Sequence, residues 1–220
     1  MVAVCISRVE ENWSVLSLPF HCYTSGWKPY PRFEISKERV EYLAGRRNRA
    51  VSEALSLFPE SNDILMVDSY YLHQTEQIEA LVAEYVKLSS STEPGGCILG
   101  ASTWVHDKTK IRPSKHFFDG WTTPEGHRFT PELAKSQGGL VRVQAVGGCY
   151  IFPRGVWEKV AYGVPQDLHG CEHNWLCEGS GLHVYLSLNE MLWHDPVVYS
   201  WPKRVRCSLH LGRFIPRRPS

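Results

Sequence analysis

Asn62-Asp63-Ile64-Leu65-Met66-Val67-Asp68-Ser69-Tyr70 is the stretch on which the fold turns. Ile64 to Val67 is a short apolar run, with the length and composition of a buried strand. It delivers one acidic side chain, Asp68, to its carboxyl end. The segments on both sides are helical in period. A strand between two helices is the unit of an α/β sheet, and ligands of such sheets bind outside the carboxyl ends of the strands. Asp68 therefore reads either as an acid that closes a turn or as a ligand for a metal, a phosphate neighbour or a ribose.

Before this strand, Ser36 is an N-cap, and the helix it opens runs to about Phe58. Its apolar positions Val40, Leu43, Ala44, Val51, Ala54, Leu55 and Phe58 fall at i, i+3, i+4 spacing, and Pro59 stops it. Of Arg46, Arg47 and Arg49 on this helix, the period turns only one to the cleft. After the strand, Thr75 caps a second helix with Ile78, Leu81, Val82, Tyr85 and Val86 on one face. Val2–Ile6 reads as the first buried strand, Val15–Cys22 holds a second, and Cys97–Ala101 is another. Strand, helix, strand, helix, strand argues for a parallel α/β core with helices on both faces.

Trp104 to Leu140 has no clear period. It carries His106, His116, Phe117, Phe118, Trp121, His127 and Phe129, an aromatic content that argues against disorder. It reads either as a platform for the apolar faces of sugar rings or as a loop filling its own small core. Val141 to Phe152 resumes a strand pattern, which Gly147-Gly148 interrupts. A glycine pair in a strand permits close approach of a ligand or another backbone. A short helix follows from Pro153 or Arg154 through Val160. Cys171 to Gly179 reads as another, with Trp175 and Leu176 inward and Gly179 or Gly181 as its C-cap. His183 to Leu188 is a strand, and Met191-Leu192-Trp193 leads to His194-Asp195-Pro196.

The 220 residues suit a single domain over 1–200 with a basic C-terminal tail over 201–220. That tail carries Lys203, Arg204, Arg206, Arg213, Arg217 and Arg218 and no acid, a composition suited to an anionic membrane surface or to a solvated terminus. A net charge of +1 argues against a general nucleic-acid binder, so no nucleic acid is expected as a partner. No run approaches the ~18 apolar residues of a membrane span. Met1 to Ile6 is too short for a signal peptide, and the seven scattered cysteines read as mostly reduced thiols. The expected setting is cytoplasmic, peripheral at the membrane if the tail engages it.

Three polar points then stand at the ends of apolar elements: Asp68, the group around Glu172, and His194. An oxygen ligand and an imidazole at strand ends suit Mn²⁺ or Mg²⁺, acting as a Lewis acid on a diphosphate leaving group. A carboxylate nearby would orient or deprotonate an acceptor hydroxyl. A rival set, His169, Cys171, His173 and Cys177, is zinc-like in ligand type. Its spacing departs from the common paired pattern.

The ordered motifs resemble those of a small GT-A glycosyltransferase, a nucleotide-sugar-using enzyme. Tyr42-Leu43-Ala44-Gly45-Arg46-Arg47-Asn48-Arg49-Ala50 is similar to the Ala-Arg-Asn-Arg-Ala-Leu element of that superfamily. Ile64 to Tyr70 is similar to its strand ending in Asp-x-Asp. Gly147-Gly148-Cys149-Tyr150-Ile151-Phe152-Pro153-Arg154-Gly155-Val156-Trp157 looks like its Gly-Gly strand and helix on the acceptor side. Cys171-Glu172-His173-Asn174-Trp175-Leu176-Cys177, with His194 later, resembles its Glu-Asp-x-x-Leu-Cys helix and late metal-binding histidine. Arg39 to Ala44 and Phe117-Phe118-Asp119-Gly120-Trp121 are closest to the fungal capsule-associated alpha-mannosyltransferases. The matches span most of 39–195, and the first 38 residues match poorly.

The resemblance implies a GT-A-like (Rossmann-like) α/β fold with a mixed, mostly parallel sheet flanked by helices. It implies a hexosyltransferase that moves a sugar from GDP-mannose or a UDP-sugar to a glycan or lipid-linked acceptor. Asp68 and His194 would ligate the Mn²⁺ or Mg²⁺. Arg47 and Asn48 would lie by the nucleotide, and Gly147 and Gly148 would admit a sugar. Glu172 would bind or deprotonate the acceptor, with Glu172 or His173 as base unless the mechanism is retaining. Two positions depart from the pattern: Tyr70 occupies the second aspartate's place, and His173 occupies that of the aspartate after Glu172. With these departures the alternative is a catalytically idle GT-A-like module that binds a sugar or nucleotide.

Overall fold

The computed structural model describes residues 1–11, 13, 15, 18–26, 36–91, 96–107, 114–117, 139–166 and 170–194, with backbone alone at 91, 104–107, 114–117, 191 and 194. The Phe117-to-Trp121 match beyond its first residue, His127, Phe129, His169, Asp195 and the basic tail lie outside these residues.

The chain forms one mixed eight-stranded sheet flanked by helices. The strands are β1 (Val2–Ile6), β2 (Phe20–Tyr23), β3 (Asp63–Asp68), β4 (Cys97–Asp107), β5 (Ser114–Phe117), β6 (Leu140–Arg142), β7 (Cys149–Pro153) and β8 (His183–His194). The helices are α1 (Lys37–Leu57), α2 (Thr75–Ser91), α3 (Arg154–Val160) and α4 (Glu172–Ser180). A single 3-10 turn, Ser69–Tyr71, follows β3. The strand order is β2-β1-β3-β7-β4-β8-β6, with β5 on the side of β4.

Strand alternation splits the core in two. Val2, Val4, Ile6, Ile64, Met66, Tyr150 and Phe152 face one cluster, shared with Ala44, Val51 and Ala54 of α1 and Leu176 of α4. Ala3, Cys5, Leu65, Val67, Cys149 and Ile151 face the other, closed by Ile78, Leu81 and Tyr85 of α2. β1 is buried along its whole length because both of its faces are covered. Asp68 has the parity of Ile64 and Met66, so β3 presents it to the α1 and α4 side.

The strands read from element order run one way, in a sheet that is mixed. β1–β2, β1–β3 and β4–β8 pair parallel, whereas β3–β7, β4–β7, β4–β5 and β6–β8 pair antiparallel. Among the described strands β1, β2, β3, β4 and β8 run one way, so the sheet is mostly parallel in direction but not in its pairings. The cause is β7, which slots between β3 and β4 in the opposite sense. β6 runs in the same reversed sense on the far side of β8. β4 and β8 are also longer than read, and β8 runs through to His194 past a register shift opposite Ala101 and Ser102.

The caps predicted for α1 and α4 are in place. Ser36 Oγ accepts the Arg39 N–H at 3.3 Å, and Gly181 closes α4 at φ 72°. Thr75 is the first helical residue of α2. Trp175 is not inward: it is 36% exposed, and its ring covers Gly163. Among the described residues no helix is long and apolar enough to cross a membrane.

Close packing makes β4 intolerant of bulk. A Cβ added at Gly100 would lie 2.5 Å from Val146 Cβ. Gly100→Ala is expected to lower stability by about 1–3 kcal/mol, read from the urea midpoint at an unchanged m-value.

Candidate functional site

Arg47 sits where an apolar residue belongs. Along α1 the inward stripe is Val40, Ala44, Arg47, Val51 and Ala54, at i, i+4, i+7, i+11 and i+14, and all five are buried. The guanidinium therefore enters the protein among apolar neighbours and must find acceptors there. It finds them on two distant segments. Arg47 Nη2 donates to Asp68 Oδ1 at 2.8 Å, and Arg47 Nε donates to Glu172 Oε1 at 3.1 Å. Arg47 Nη2 also lies 3.2 Å from His173 Nε2. β3 supplies the first acceptor at its carboxyl end. The first turn of α4 supplies the other two, a position where the helix dipole favours a carboxylate.

Because a guanidinium only donates, His173 Nε2 must accept. The neutral imidazole then carries its proton on Nδ1, which faces Tyr150 Oη at 2.8 Å. Tyr150 Oη in turn pairs with Tyr162 Oη at 2.6 Å. Burial, helped by the Arg47 cation, pushes the His173 imidazole down to about 3. Burial also raises both tyrosines, so they remain protonated. For Arg47 burial opposes the charge, but Asp68 and Glu172 outweigh it and hold the guanidinium protonated.

With His173 neutral, two carboxylates and one guanidinium leave the cluster with an excess of negative charge. Arg47 Nη1 and Glu172 Oε2 are buried without a hydrogen-bond partner among the described residues. One donor and one acceptor are thus unmatched in a closed site.

The Tyr70 hydroxyl donates to Asp68 Oδ2 at 2.9 Å. Both Asp68 oxygens therefore accept hydrogen bonds, one of them from a cation. A divalent ion at Asp68 would have to share or displace Arg47, and among the described residues no group of three His, Cys, Asp or Glu is placed to hold a metal. His194 is the last residue of β8, and its side chain lies outside the description. Its backbone is carried to the Asp68 end of the sheet, because the Gln74 amide bonds both the N–H and the carbonyl of Trp193, at 2.7 and 2.8 Å. Of the zinc-like set, His173 has both ring nitrogens engaged within the cluster.

The other expected residues are placed as follows. Asn48 spends its amide on the protein: Oδ1 accepts from Trp157 Nε1 and from the Tyr162 N–H, and Nδ2 donates to the Tyr162 carbonyl. It fixes Tyr162 beside the cluster. The Gly148 carbonyl accepts the Asp68 N–H at 2.7 Å. Gly148 has φ 71°, and the close approach it permits is that of the Tyr71 ring, 2.8 Å from where a Cβ would stand. Gly147 lies between these elements and β6. Two guanidiniums of α1 are buried, not one. Arg46 donates to the carbonyls of Ser7 and Tyr23 at 3.0 Å and to that of Ser25, tying together the carboxyl ends of β1 and β2. Tyr70, Tyr150 and Tyr162 escaped the sequence reading as site residues. Only the inward parity of Tyr150, level with Phe152, was there to find. Surface hollows at Lys37, Val164, Pro165 and Gln166 and at His21, Ser52, Glu53, Ser56 and Leu57 include none of the cluster.

No protein-family profile matches the chain, and no curated protein matches it. Among solved structures it is similar to one described as "Crystal Structure of A197 from STIV", at 12% identity and a TM-score of 0.40, covering 91% of this chain and 98% of that one. A likeness that weak carries no argument about function.

Two outcomes test the cluster. Arg47→Met would leave two buried carboxylates without a counter-charge and is expected to cost about 3–5 kcal/mol at pH 7. Adding Glu172→Gln should recover part of that loss, both read by urea unfolding. For His173, the unfolded imidazole binds a proton below about 6.5, while the folded one stays neutral down to about 3. The unfolded state thus binds more protons in that window, so stability falls as pH falls through it, by up to about 1.4 kcal/mol per pH unit. Denaturant titrations between pH 4 and 7 should show this slope, and His173→Gln should flatten it.

Proposed function

We propose that this chain is a GT-A-like glycosyltransferase domain, transferring a sugar from a nucleotide-sugar donor to a glycan or lipid-linked acceptor. The observation that supports it is the convergence on Arg47. Asp68, Glu172 and His173 were singled out from motifs 21, 125 and 126 residues from Arg47, and all three lie within hydrogen-bond reach of it. Gly147-Gly148 leads into β7, which pairs with β3, and the Gly148 carbonyl accepts the Asp68 N–H, so this motif too reaches the Asp68 end of the sheet.

Within this reading Glu172 is the base. Its Oε2 is an unmatched acceptor, suited to receive the proton of an acceptor hydroxyl, whereas His173 is too weak a base near neutral pH. His173 is a positioning residue: it holds Arg47 against both carboxylates. The negative excess of the cluster favours an electron-poor anomeric carbon, since sugar transfer passes through an oxocarbenium-like state. Arg47 bridges Asp68 and Glu172, and Tyr70 orients Asp68. The donor nucleotide and sugar are the property the experiment must supply. No step is assigned to a divalent ion.

A catalytically idle binding module is the second reading. It is favoured by one observation, the capping of Asp68 by both Arg47 and Tyr70, which leaves that carboxylate little freedom to engage a donor.

The test is a panel of UDP- and GDP-sugars, each with and without Mn²⁺, followed by thermal shift and by slow donor hydrolysis. The glycosyltransferase reading expects at least one donor to raise Tm and to be hydrolysed. Glu172→Gln should cut transfer by about 10²–10⁴ while keeping the thermal shift. A shift without hydrolysis supports the idle module, and no shift with any donor sinks both.

A further inference from the structure

β1 and β2 carry a second chemical feature, remote in kind from the Arg47 cluster. Cys5 and Cys22 are direct register partners in the parallel β1–β2 pair. Register partners on neighbouring strands point to the same face, and both cysteines join the α2-side core. Neighbouring strands lie ~4.8 Å apart, within the ~4.4–6.8 Å that a disulfide spans between Cα atoms. The two environments differ. Cys5 is fully buried, whereas Cys22 is on the edge strand and half-buried.

The Cys22 sulfur is also the better nucleophile of the two. The Cys5 thiol donates a hydrogen bond to it, and the Glu11 N–H faces it as well. Its own thiol proton points at the Val9 carbonyl, 3.8 Å away. Burial and the carboxylates of Glu10 and Glu11 oppose ionisation, but the hydrogen bonds prevail and bring Cys22 down to about 7. For Cys5 the shared hydrogen bond and burial act in the opposite direction and keep it a thiol. A thiolate open to solvent with a protonated thiol behind it is the arrangement of an attacking and a resolving cysteine.

We propose that Cys5 and Cys22 form a peroxide-sensitive dithiol, closing to a reversible intramolecular disulfide. The Cys22 thiolate attacks one oxygen of a hydroperoxide. The O–O bond breaks, Cys22 becomes a sulfenic acid, and the other oxygen leaves as water or an alcohol after taking a proton. The Cys5 sulfur then attacks the sulfenic sulfur, and the S–O bond breaks. The hydroxyl departs with the Cys5 proton as water. Two thiols are oxidised by two electrons, and one peroxide is reduced. The bond's place matters: the next residues of the same pair, Ile6 and Tyr23, lead to the Ser7 and Tyr23 carbonyls that Arg46 clasps.

The experiment uses the full chain, reduced and then freed of reductant. It is treated with hydrogen peroxide at pH 7, alkylated and analysed by intact and peptide mass spectrometry. The expected product has lost two hydrogens, carries a Cys5–Cys22 cross-linked peptide and regains both thiols with dithiothreitol. Cys22→Ser, an edge-strand change, should abolish the cross-link. Cys5→Ser should leave Cys22 trapped as a sulfenic acid that dimedone labels; if that buried change prevents folding, the Cys22→Ser result stands with the wild-type cross-link. A cross-link between other cysteines, oxidation of Cys22 to the sulfinic acid with Cys5 still alkylatable, or a cross-link that survives Cys22→Ser would overturn the proposal.

Discussion

One buried guanidinium orders the interior of this protein. Arg47 has lost its water, and several kcal/mol of desolvation must be offset by acceptors brought to it. Among the described residues Asp68 and Glu172 are the carboxylates that pair with it, and they arrive from the end of β3 and the start of α4. Three elements are therefore fixed to one another at a single point. The constraint then propagates. Since the guanidinium can only donate, it dictates which nitrogen of His173 is protonated, and so the direction of the hydrogen bonds through Tyr150 to Tyr162. Such a triad is a poor source of stability, because its Coulomb gain is largely spent on desolvation. Its worth is in geometry.

The sheet makes that geometry possible. β1, β2, β3, β4 and β8 run in one direction, so their carboxyl ends share an edge. β7 enters between β3 and β4 in reverse. Its reversal places Gly148 under the Asp68 backbone and Tyr150 on the face that His173 packs against. A second guanidinium, Arg46, performs a different service one residue earlier by tying the ends of β1 and β2 and stacking on Tyr23 and Tyr42. Adjacent arginines on one helix thus face two neighbouring gaps at the same end of the sheet. The distinct acidities of Cys5 and Cys22 arise in the same strand pair, from burial on one side and hydrogen bonds on the other.

Much of this was visible in the order of residues. β1, α1, β3, α2, α3 and α4 were readable because their signals are local: a period, a cap, a proline, a glycine. Asp68 stood out because a strand ended in it. Arg47 was named only through the resemblance, and its place in the buried stripe between Ala44 and Val51 came with the packed helix. β1, β3 and β4 run one way as their order implied, but nothing local says that β7 will insert backwards between β3 and β4. Trp175 was misplaced because α4 turns its first-turn acid and imidazole inward and has only one inner face. Tyr70 looked like a gap in a motif, whereas its hydroxyl covers the second oxygen of Asp68.

The residues themselves specified the alternation of strands and helices, the acid at the end of β3 and the odd charge on α1, because each depends on neighbours within a few positions. The pairing of that charge with Asp68 and Glu172, the proton position on His173 and the direction of β7 depend on contacts across 21 to 126 residues. Such contacts exist only once the two faces of the sheet are buried and water has been excluded. Until then Arg47 is solvated like any surface arginine, and nothing obliges it to choose a partner.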